Sequence, residues 1–276
     1  MSIRRNTAYN LLGSAAPLAT ALVTVPIYIE LIGEERYAVL AIAWLLLGYF
    51  GLFDLGLGRA TAQRIATLGD AAAEERARIF WTALIVNLGL GVIGGLLIWP
   101  TAAYFFGNLF KIEAALRPEV EAAVPWLILA VPMATTSGVL GGALQGRERF
   151  LELNLISALG TVLFQLLPLS TAAVWGPELG VLLPIVLVTR LLTLLMLFQR
   201  CRRHIFRGYT VAFASEHAGH LLRFGGWVTV NAFVGPMMII LDRFIIGVVS
   251  GAKSVTYYTV PFQLAQQSTI IGSASV

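Results

Sequence analysis

The chain has few charged residues and a single cysteine, and both shortages limit what it can be. Charged residues make up 12% of the 276 positions, whereas hydrophobic residues make up 58% and the mean hydropathy is +0.80. Soluble domains carry about 25% charged residues, so this composition excludes a water-soluble core. Cys201 has no second cysteine to pair with, which excludes a disulfide framework and a cysteine-based metal site.

Recognisable catalytic motifs are also missing from the sequence. It contains no glycine-rich nucleotide loop, no Ser/His/Asp set and no paired carboxylates, and its connectors are too short to be catalytic domains. We therefore expect a protein that is not an enzyme and that uses no cofactor. His217 and His220 have i,i+3 spacing, but no acid or cysteine stands at metal-ligand spacing from them, so no metal site is predicted.

What the chain has instead is a series of apolar runs separated by short charged connectors. Each run is roughly 20 residues long, enough to cross a ~30 Å hydrocarbon core as an α-helix. This pattern predicts an all-α, polytopic membrane protein. The seven runs are Asn10–Ile32, Ala38–Phe53 (which could extend through Gly58), Ile79–Trp99, Ala122–Leu144, Leu151–Trp175, Leu179–Phe198 and Phe224–Val249, and an incomplete eighth starts at Val255.

The basic residues of the connectors predict the orientation of the chain. They alternate between a set of thirteen on one side and a set of four on the other. The positive-inside rule places the richer set, and with it the N-terminus, in the cytoplasm. The richer set is Arg4, Arg5, Arg59, Arg64, Arg76, Arg78, Arg147, Arg149, Arg200, Arg202, Arg203, Arg207 and Arg223, and the poorer set is Arg36, Lys111, Arg117 and Lys253.

The same alternation points to an internal repeat. With a cytoplasmic connector after the sixth run, the seventh run starts in the same direction as the first. The segments VPIYIELIGEERYAVLAI and MMIILDRFIIGVVSGAKSVTYYTV share a pattern: an apolar run, a Gly-containing polar turn, and a Tyr that opens the next run. We predict a six-helix lobe over 1–200, a basic cytoplasmic connector over 201–223, and the incomplete start of a second, parallel-repeat lobe over 224–276.

Arg190 is the clearest charge inside an apolar run. It lies about eight residues from the nearer end of its run, or about 12 Å, close to the middle of the hydrocarbon core. A central arginine costs at least roughly 2.5 to 3.5 kcal/mol, so it should face a water-filled cavity or a counter-ion. Guanidinium binds phosphate in a bidentate way, which favours an anion site. A structural ion pair with an acid on another helix is the alternative.

Asp242 and Arg243 form a second charged pair, within the seventh run. Adjacent residues project about 100° apart on a helix, so each needs its own partner. They belong either near the periplasmic membrane surface or at the mouth of the same cavity as Arg190.

A third set of charges closes the second run. Asp54 lies at its cytoplasmic end, and Arg59 and Arg64 follow just beyond. Positive-inside anchoring accounts for the two arginines. The alternative is that they receive an anionic headgroup entering from the inner leaflet.

Several blocks of the sequence resemble a known family. These are NTAYNLLGSAAPLATALVTVPIYIELIGEERYAVLAI, FDLGLGRATAQRIA, GGALQGRERF, and LDRFIIG followed by YYTVPFQL. They are similar to the oligosaccharide flippases of the multidrug/oligosaccharide-lipid/polysaccharide exporter superfamily, over residues 6 to 276. The resemblance implies two six-helix lobes that face a central cavity. It also implies alternating access that moves undecaprenyl-diphosphate-linked sugar units, such as O-antigen units, across the bacterial inner membrane for polysaccharide biosynthesis.

The resemblance also implies partners and a site. The partners are the lipid-linked oligosaccharide, membrane lipid, a coupling ion, and either the missing second lobe or another copy of the chain; nucleic acid is not among them. Charge and depth make Arg190, Arg59 and Arg243 candidates for binding the diphosphate, and Asp242, Asp54 and Arg64 complete the candidate set. The chain is shorter than members of that family, which predicts either a truncated sequence or a partner that supplies the missing wall.

Two other functions remain as alternatives. A cation-coupled multidrug exporter of the same fold would need a carboxylate at mid-membrane in the first lobe, whereas Glu30 and Asp54 both lie near helix ends. A membrane transferase or polysaccharide polymerase would need a sizeable polar loop with acid, base or arginine clusters, and the sequence has no such loop.

Overall fold

The fold of the described residues is helical. A computed structural model of the protein describes residues 20–49, 56–68, 72–110, 112–216, 218–219 and 240–273. Within these ranges the chain forms helices joined by short turns and contains no strand. The predicted all-α class is therefore confirmed.

We number the longer helices of these ranges in chain order. They are α1 (Thr20–Ile32), α2 (Glu34–Tyr49), α3 (Leu57–Leu68), α4 (Ala73–Tyr104, continued by a π-helical turn at Phe105–Leu109), α5 (Arg117–Gly146), α6 (Phe150–Trp175), α7 (Leu179–His204), α8 (240–249) and α9 (Ala252–Ser273).

Four of these helices are long and apolar enough to cross a membrane: α4 with its π-helical turn, α5, α6 and α7. They correspond to the third to sixth predicted runs. Their outward surfaces are strongly apolar, since Leu97, Val174 and Trp175 are each more than 70% exposed. Large exposed side chains of this kind suit contact with lipid tails rather than water. The prediction of a polytopic membrane protein is confirmed.

The second predicted run starts later than the helix that the structure shows. It was expected over Ala38–Phe53, but α2 begins at Glu34 and is described as helical up to Tyr49. Residues 50–55 lie outside the described ranges. Beyond them, where the sequence analysis placed a connector, the chain forms the helix α3.

α3 escaped the hydropathy pattern because it is amphipathic. Leu57 and Ile65 are buried, whereas Arg59 and Arg64 are exposed, so the average hydropathy of the segment is low. Its buried side packs closely against α5: a methyl group added at Gly142 would lie 2.7 Å from the carbonyl carbon of Gly58. Small residues at this contact allow the two backbones to approach.

One end of the bundle is organised around Glu119, and we call it the Glu119 end. The carboxylate of Glu119, on α5, accepts two hydrogen bonds of 3.1 Å from Nε of Arg36 on α2. It also accepts a hydrogen bond from the backbone N–H of Leu179, the first residue of α7. At the same end, the hydroxyl of Tyr257 on α9 donates to Glu34 Oε1 at 2.9 Å. The starts of α2, α5, α7 and α9 are therefore tied together here.

The opposite end is organised around Glu152, near the start of α6, and we call it the Glu152 end. Its carboxylate lies 3.5 Å from Arg200 and 3.1 Å from His204, both in the last turns of α7. Arg149 lies 4.0 Å from the same carboxylate. α7 continues to His204, six residues past the predicted end at Phe198, so its basic final turns are helical.

The two segments that the sequence analysis compared have similar turns. Gly33 separates α1 from α2 with a φ of 80°, and Gly251 separates α8 from α9 with a φ of 88°. Both values lie in the left-handed region that glycine adopts without strain. The local geometry agrees with the proposed parallel repeat, while the division at 200 and 223 stays a prediction.

Candidate functional site

Arg190 occupies the middle of α7, as predicted. The hydrogen bond between Glu119 and the N–H of Leu179 fixes where α7 begins, and Arg190 follows eleven residues later, about 16 Å along the helix. Its side chain donates a hydrogen bond of 3.2 Å to the hydroxyl of Ser137 on α5. The Nε atom is buried and has no hydrogen-bond partner among the described residues.

The charge environment of Arg190 bears on its two interpretations. None of the ion pairs shown among the described residues involves Arg190. The interpretation of Arg190 as one half of a structural ion pair therefore has no acidic partner to support it among the described residues. A buried cation without a carboxylate favours an anionic ligand.

Arg190 lines a cavity of about 400 Å³ between α2, α5, α6 and α7. The close packing of α6 and α7 beside it depends on Gly160, where an added methyl group would lie 2.7 Å from Thr193 Oγ1. The cavity combines hydroxyl groups with aromatic rings. Its lining includes Trp44 from α2, Ser137 from α5, Ser157, Thr161 and Phe164 from α6, and Arg190 and Thr193 from α7.

The aromatic wall of this cavity was not predicted from the sequence. The rings of Trp44 and Phe164 lie 6.1 Å apart, and Tyr28 packs edge-on against Trp44 at 5.3 Å. The indole Nε1 of Trp44 is buried without a hydrogen-bond partner in the described ranges. A tryptophan in an apolar run is usually an interfacial anchor, so the sequence alone contains no signal that Trp44 faces the Arg190 cavity.

The other predicted arginines do not line the Arg190 cavity as the structure describes it. Arg59 and Arg64 lie on the exposed face of α3. Arg243 is only 1% exposed and packs against α9: its guanidinium lies 4.7 Å from the ring centre of Phe262. A cation over an aromatic face is stabilised by the ring quadrupole.

Asp242 and Arg243 have separate partners, as their spacing predicted. Nε of Arg243 donates to Thr259 Oγ1 at 3.3 Å, and Asp242 Oδ2 accepts a 3.0 Å hydrogen bond from the hydroxyl of Tyr258. Both partners are on α9. The structure therefore places these two charges within the α8–α9 pair.

Three of the residues considered for binding or for a metal site lie outside the described residues: Asp54, His217 and His220. In the ranges that the structure does describe, no group of three or more His, Cys, Asp or Glu side chains is placed to hold a metal ion.

Solved structures of membrane transporters have the same fold as this chain. The MATE multidrug transporter DinF-BH superposes with a TM-score of 0.72 at 15% identity, covering 97% of this chain and 60% of that chain. A MOP superfamily transporter from Pyrococcus furiosus gives a TM-score of 0.67 at 16% identity, covering 97% of this chain and 61% of that chain. At these identities the similarity defines the fold.

Sequence comparison defines the family. The profile described as polysaccharide biosynthesis protein matches residues 3–275, and the chain belongs to this family. A curated relative from Shigella flexneri, "Putative O-antigen transporter", is 26% identical over 274 residues, covering 99% of this chain. The chain spans 65% of the length of that relative. The predicted resemblance is confirmed at the level of this family and of the fold.

Proposed function

We propose that this chain forms part of a bacterial inner-membrane transporter for undecaprenyl-diphosphate-linked oligosaccharide. The transporter moves its substrate from the cytoplasmic to the periplasmic leaflet by alternating access. Membership of the polysaccharide biosynthesis family and the similarity to the Shigella flexneri protein support an oligosaccharide substrate. The observation that carries the proposal is Arg190, a largely buried cation at mid-helix with one hydrogen bond to Ser137 and no carboxylate beside it in the described part of the chain.

The distribution of acids supports this function over cation-coupled drug export. In α4, α5 and α6, every Asp and Glu lies within the first five residues of the helix, and α7 contains none. These four membrane-capable helices therefore offer no carboxylate at mid-depth. A cation carrier needs such a group in its path, whereas a carrier of a diphosphate needs a cation.

The exposed face of α3 gives the substrate a first contact. Arg59 and Arg64 lie beyond the described end of α2 and are exposed on a helix that packs against α5. We place the Glu152 end in the cytoplasm because most of the basic residues of the connectors lie there. Arg59 and Arg64 then receive the diphosphate from the inner leaflet and Arg190 holds it deeper. By their place in the sequence, Arg243 and Asp242 are candidates for the second-lobe side of the path, and Asp54, which lies outside the described residues, is a candidate for its entrance.

The test is flipping of a fluorescent undecaprenyl-diphosphate oligosaccharide in proteoliposomes. It compares the 276-residue chain with a form extended by the codons that follow it in the reading frame, each as wild type, Arg190→Ala and Arg190→Lys. An arginine–phosphate interaction contributes roughly 1.5 to 3 kcal/mol, so Arg190→Ala should weaken apparent substrate affinity roughly 10- to 150-fold. Arg190→Lys keeps the charge but loses the bidentate fork, so it should retain part of the activity.

Arg200→Ala is the matched control. Arg200 is on the same helix and of the same charge, but it is half-exposed and paired with Glu152, so its loss should leave flipping within about twofold of wild type. Equal flux in wild type and Arg190→Ala would remove the anion site from the proposal. Drug efflux by a form that does not flip the lipid-linked oligosaccharide would favour the exporter instead.

A further inference from the structure

The polar groups around the Arg190 cavity divide into donors and acceptors. The donors are the guanidinium of Arg190 and the indole N–H of Trp44. Nε of Arg190 and Nε1 of Trp44 are both buried without a hydrogen-bond partner among the described residues. Each such donor costs roughly 1 to 3 kcal/mol if it stays unpaired, so both favour a ligand that brings acceptor oxygens.

The hydroxyl groups of the cavity offer acceptors. Thr161 Oγ1 donates its proton to the carbonyl oxygen of Ser157 at 2.9 Å, and Thr193 Oγ1 donates to the carbonyl oxygen of Thr189 at 3.0 Å. A hydroxyl has one proton and two lone pairs. With the protons directed to their own helices, the oxygens of Thr161 and Thr193 present lone pairs, which suit a ligand that carries hydroxyl donors.

The shape of the cavity limits the size of the ligand. Its volume of about 400 Å³ lies near the lower end of the range for small-molecule sites, roughly 300 to 1,000 Å³. It accommodates one end of a glycolipid rather than a whole oligosaccharide. Trp44 and Phe164 supply flat apolar surfaces on one side, which suit the C–H face of a sugar ring.

We propose that the Arg190 cavity binds a glycosyl phosphate, with the phosphate and the first sugar held by different residues. The phosphate oxygens accept hydrogen bonds from Arg190 and Trp44, in the bidentate geometry that guanidinium allows. The sugar hydroxyls donate to Thr161 and Thr193. This assignment rests on the proposed function, because a diphosphate-linked sugar is the part of the lipid substrate that has this chemistry. It goes beyond that function by naming the residues that bind the sugar hydroxyls.

The test measures binding to the purified 276-residue protein in detergent by isothermal titration calorimetry at low ionic strength. The probes are glucose 1-phosphate, galactose 1-phosphate and N-acetylglucosamine 1-phosphate, with inorganic phosphate as the reference. At least one sugar phosphate should bind tenfold or more tightly than inorganic phosphate. If none of the three exceeds inorganic phosphate by more than twofold, the cavity does not read a sugar and the proposal is overturned.

Variants separate the two halves of the site. Thr161→Val and Thr193→Val keep the branched shape but remove the hydroxyl. Each should weaken the binding of the sugar phosphate at least fivefold and leave the affinity for inorganic phosphate unchanged. Trp44→Phe should weaken the binding of both ligands, because it removes the indole N–H that donates a hydrogen bond to either phosphate. Thr171→Val is the control: its hydroxyl is buried on α6 and donates to Leu167 at 2.8 Å, but it is not part of the cavity lining. Equal losses for Thr161→Val and Thr171→Val would contradict the assignment.

The binding assay also separates this proposal from the transport function. Sugar phosphate binding that depends on Thr161 and Thr193, without lipid flipping by either the 276-residue chain or the extended form, would leave the cavity assignment standing and refute the flippase. Flipping at wild-type rates in both valine variants, together with equal affinity for sugar phosphate and inorganic phosphate, would refute the cavity assignment alone.

Discussion

Gly142 and Gly141 give a sharp test of the contact between α3 and α5, because neighbouring glycines of one helix face different surroundings. A methyl group at Gly141 would have Leu153 Cδ1 as its nearest atom, at 3.6 Å, which is an ordinary contact. A methyl group at Gly142 would lie 2.7 Å from the carbonyl carbon and 3.1 Å from the Cα of Gly58. Carbon atoms normally rest about 3.5 to 4.0 Å apart. The backbone of α3 would therefore have to move by roughly 1 Å.

The expected magnitude follows from a difference between the two variants. Replacing glycine by alanine in a helix interior stabilises it by roughly 0.5 to 1 kcal/mol, and this gain is the same at both positions. Gly141→Ala should keep it. Gly142→Ala should offset it by an overpacking cost of about 1 to 3 kcal/mol. The propensity gain cancels in the comparison, so Gly142→Ala should be less stable than Gly141→Ala by about 1 to 3 kcal/mol.

The assay is thermal or denaturant unfolding of both variants in the same detergent, with tryptophan fluorescence as the signal. In the flipping assay, Gly142→Ala should also be the slower of the two because a shifted α3 displaces Arg59 and Arg64. Equal stability of the variants would mean that α3 does not lie against α5 at Gly58. It would also contradict the placement of Arg59 and Arg64 on the exposed face of α3.

Two further contacts can be tested in the same way. Glu119→Ala removes both the acceptor for the Leu179 N–H and the partner of Arg36, so it should lower the free energy of unfolding by roughly 1 to 2 kcal/mol. Adding Arg36→Ala to that variant should cost little more; additive losses would show that the two side chains are not coupled. Asn87→Leu removes a hydrogen bond of 2.9 Å to the carbonyl oxygen of Thr135 but also a buried amide oxygen without a partner in the described ranges. The free energy of unfolding should change by less than about 1 kcal/mol, and a decrease of more than about 2 kcal/mol would contradict this.

The sequence predicts the membrane helices well where contact with lipid requires apolar residues. The sixth run was expected over Leu179–Phe198, and α7 does begin at Leu179. Hydropathy marks only the part of a helix that lies in hydrocarbon, so the basic end of α7, up to His204, was assigned to a connector. The same hydropathy pattern placed Arg190 in the middle of this helix. A charge within an apolar run is rare, which is why Arg190 stood out.

The sequence does not predict the partners of Arg190, because they come from other helices. Ser137 is 53 residues away along the chain, and no periodicity relates the two positions. The helix α3 could have been found from another signal. Gly142 and Gly146 have small-xxx-small spacing, which indicates close packing against a second helix. A methyl group at Gly146 would lie 2.6 Å from the carbonyl oxygen of Ala62, again on α3.

The wall of the cavity opposite α7 is held by hydrogen bonds next to a proline. Pro168 interrupts α6 and has no N–H to donate to the preceding turn. In that turn, the hydroxyl of Tyr28 donates to the carbonyl oxygen of Gln165 at 2.6 Å, and Thr24 donates to Gln165 Oε1 at 2.9 Å. Both donors are on α1, so α1 is tied to α6 at Gln165, the residue after Phe164, whose carbonyl oxygen is the one that an N–H at position 168 would have bonded. A movement of α6 at this point has to carry α1 with it or break two hydrogen bonds, each worth roughly 0.6 kcal/mol in a membrane helix pair. We therefore expect α1 and α6 to move as one unit during transport, with Phe164 keeping its place in the cavity wall.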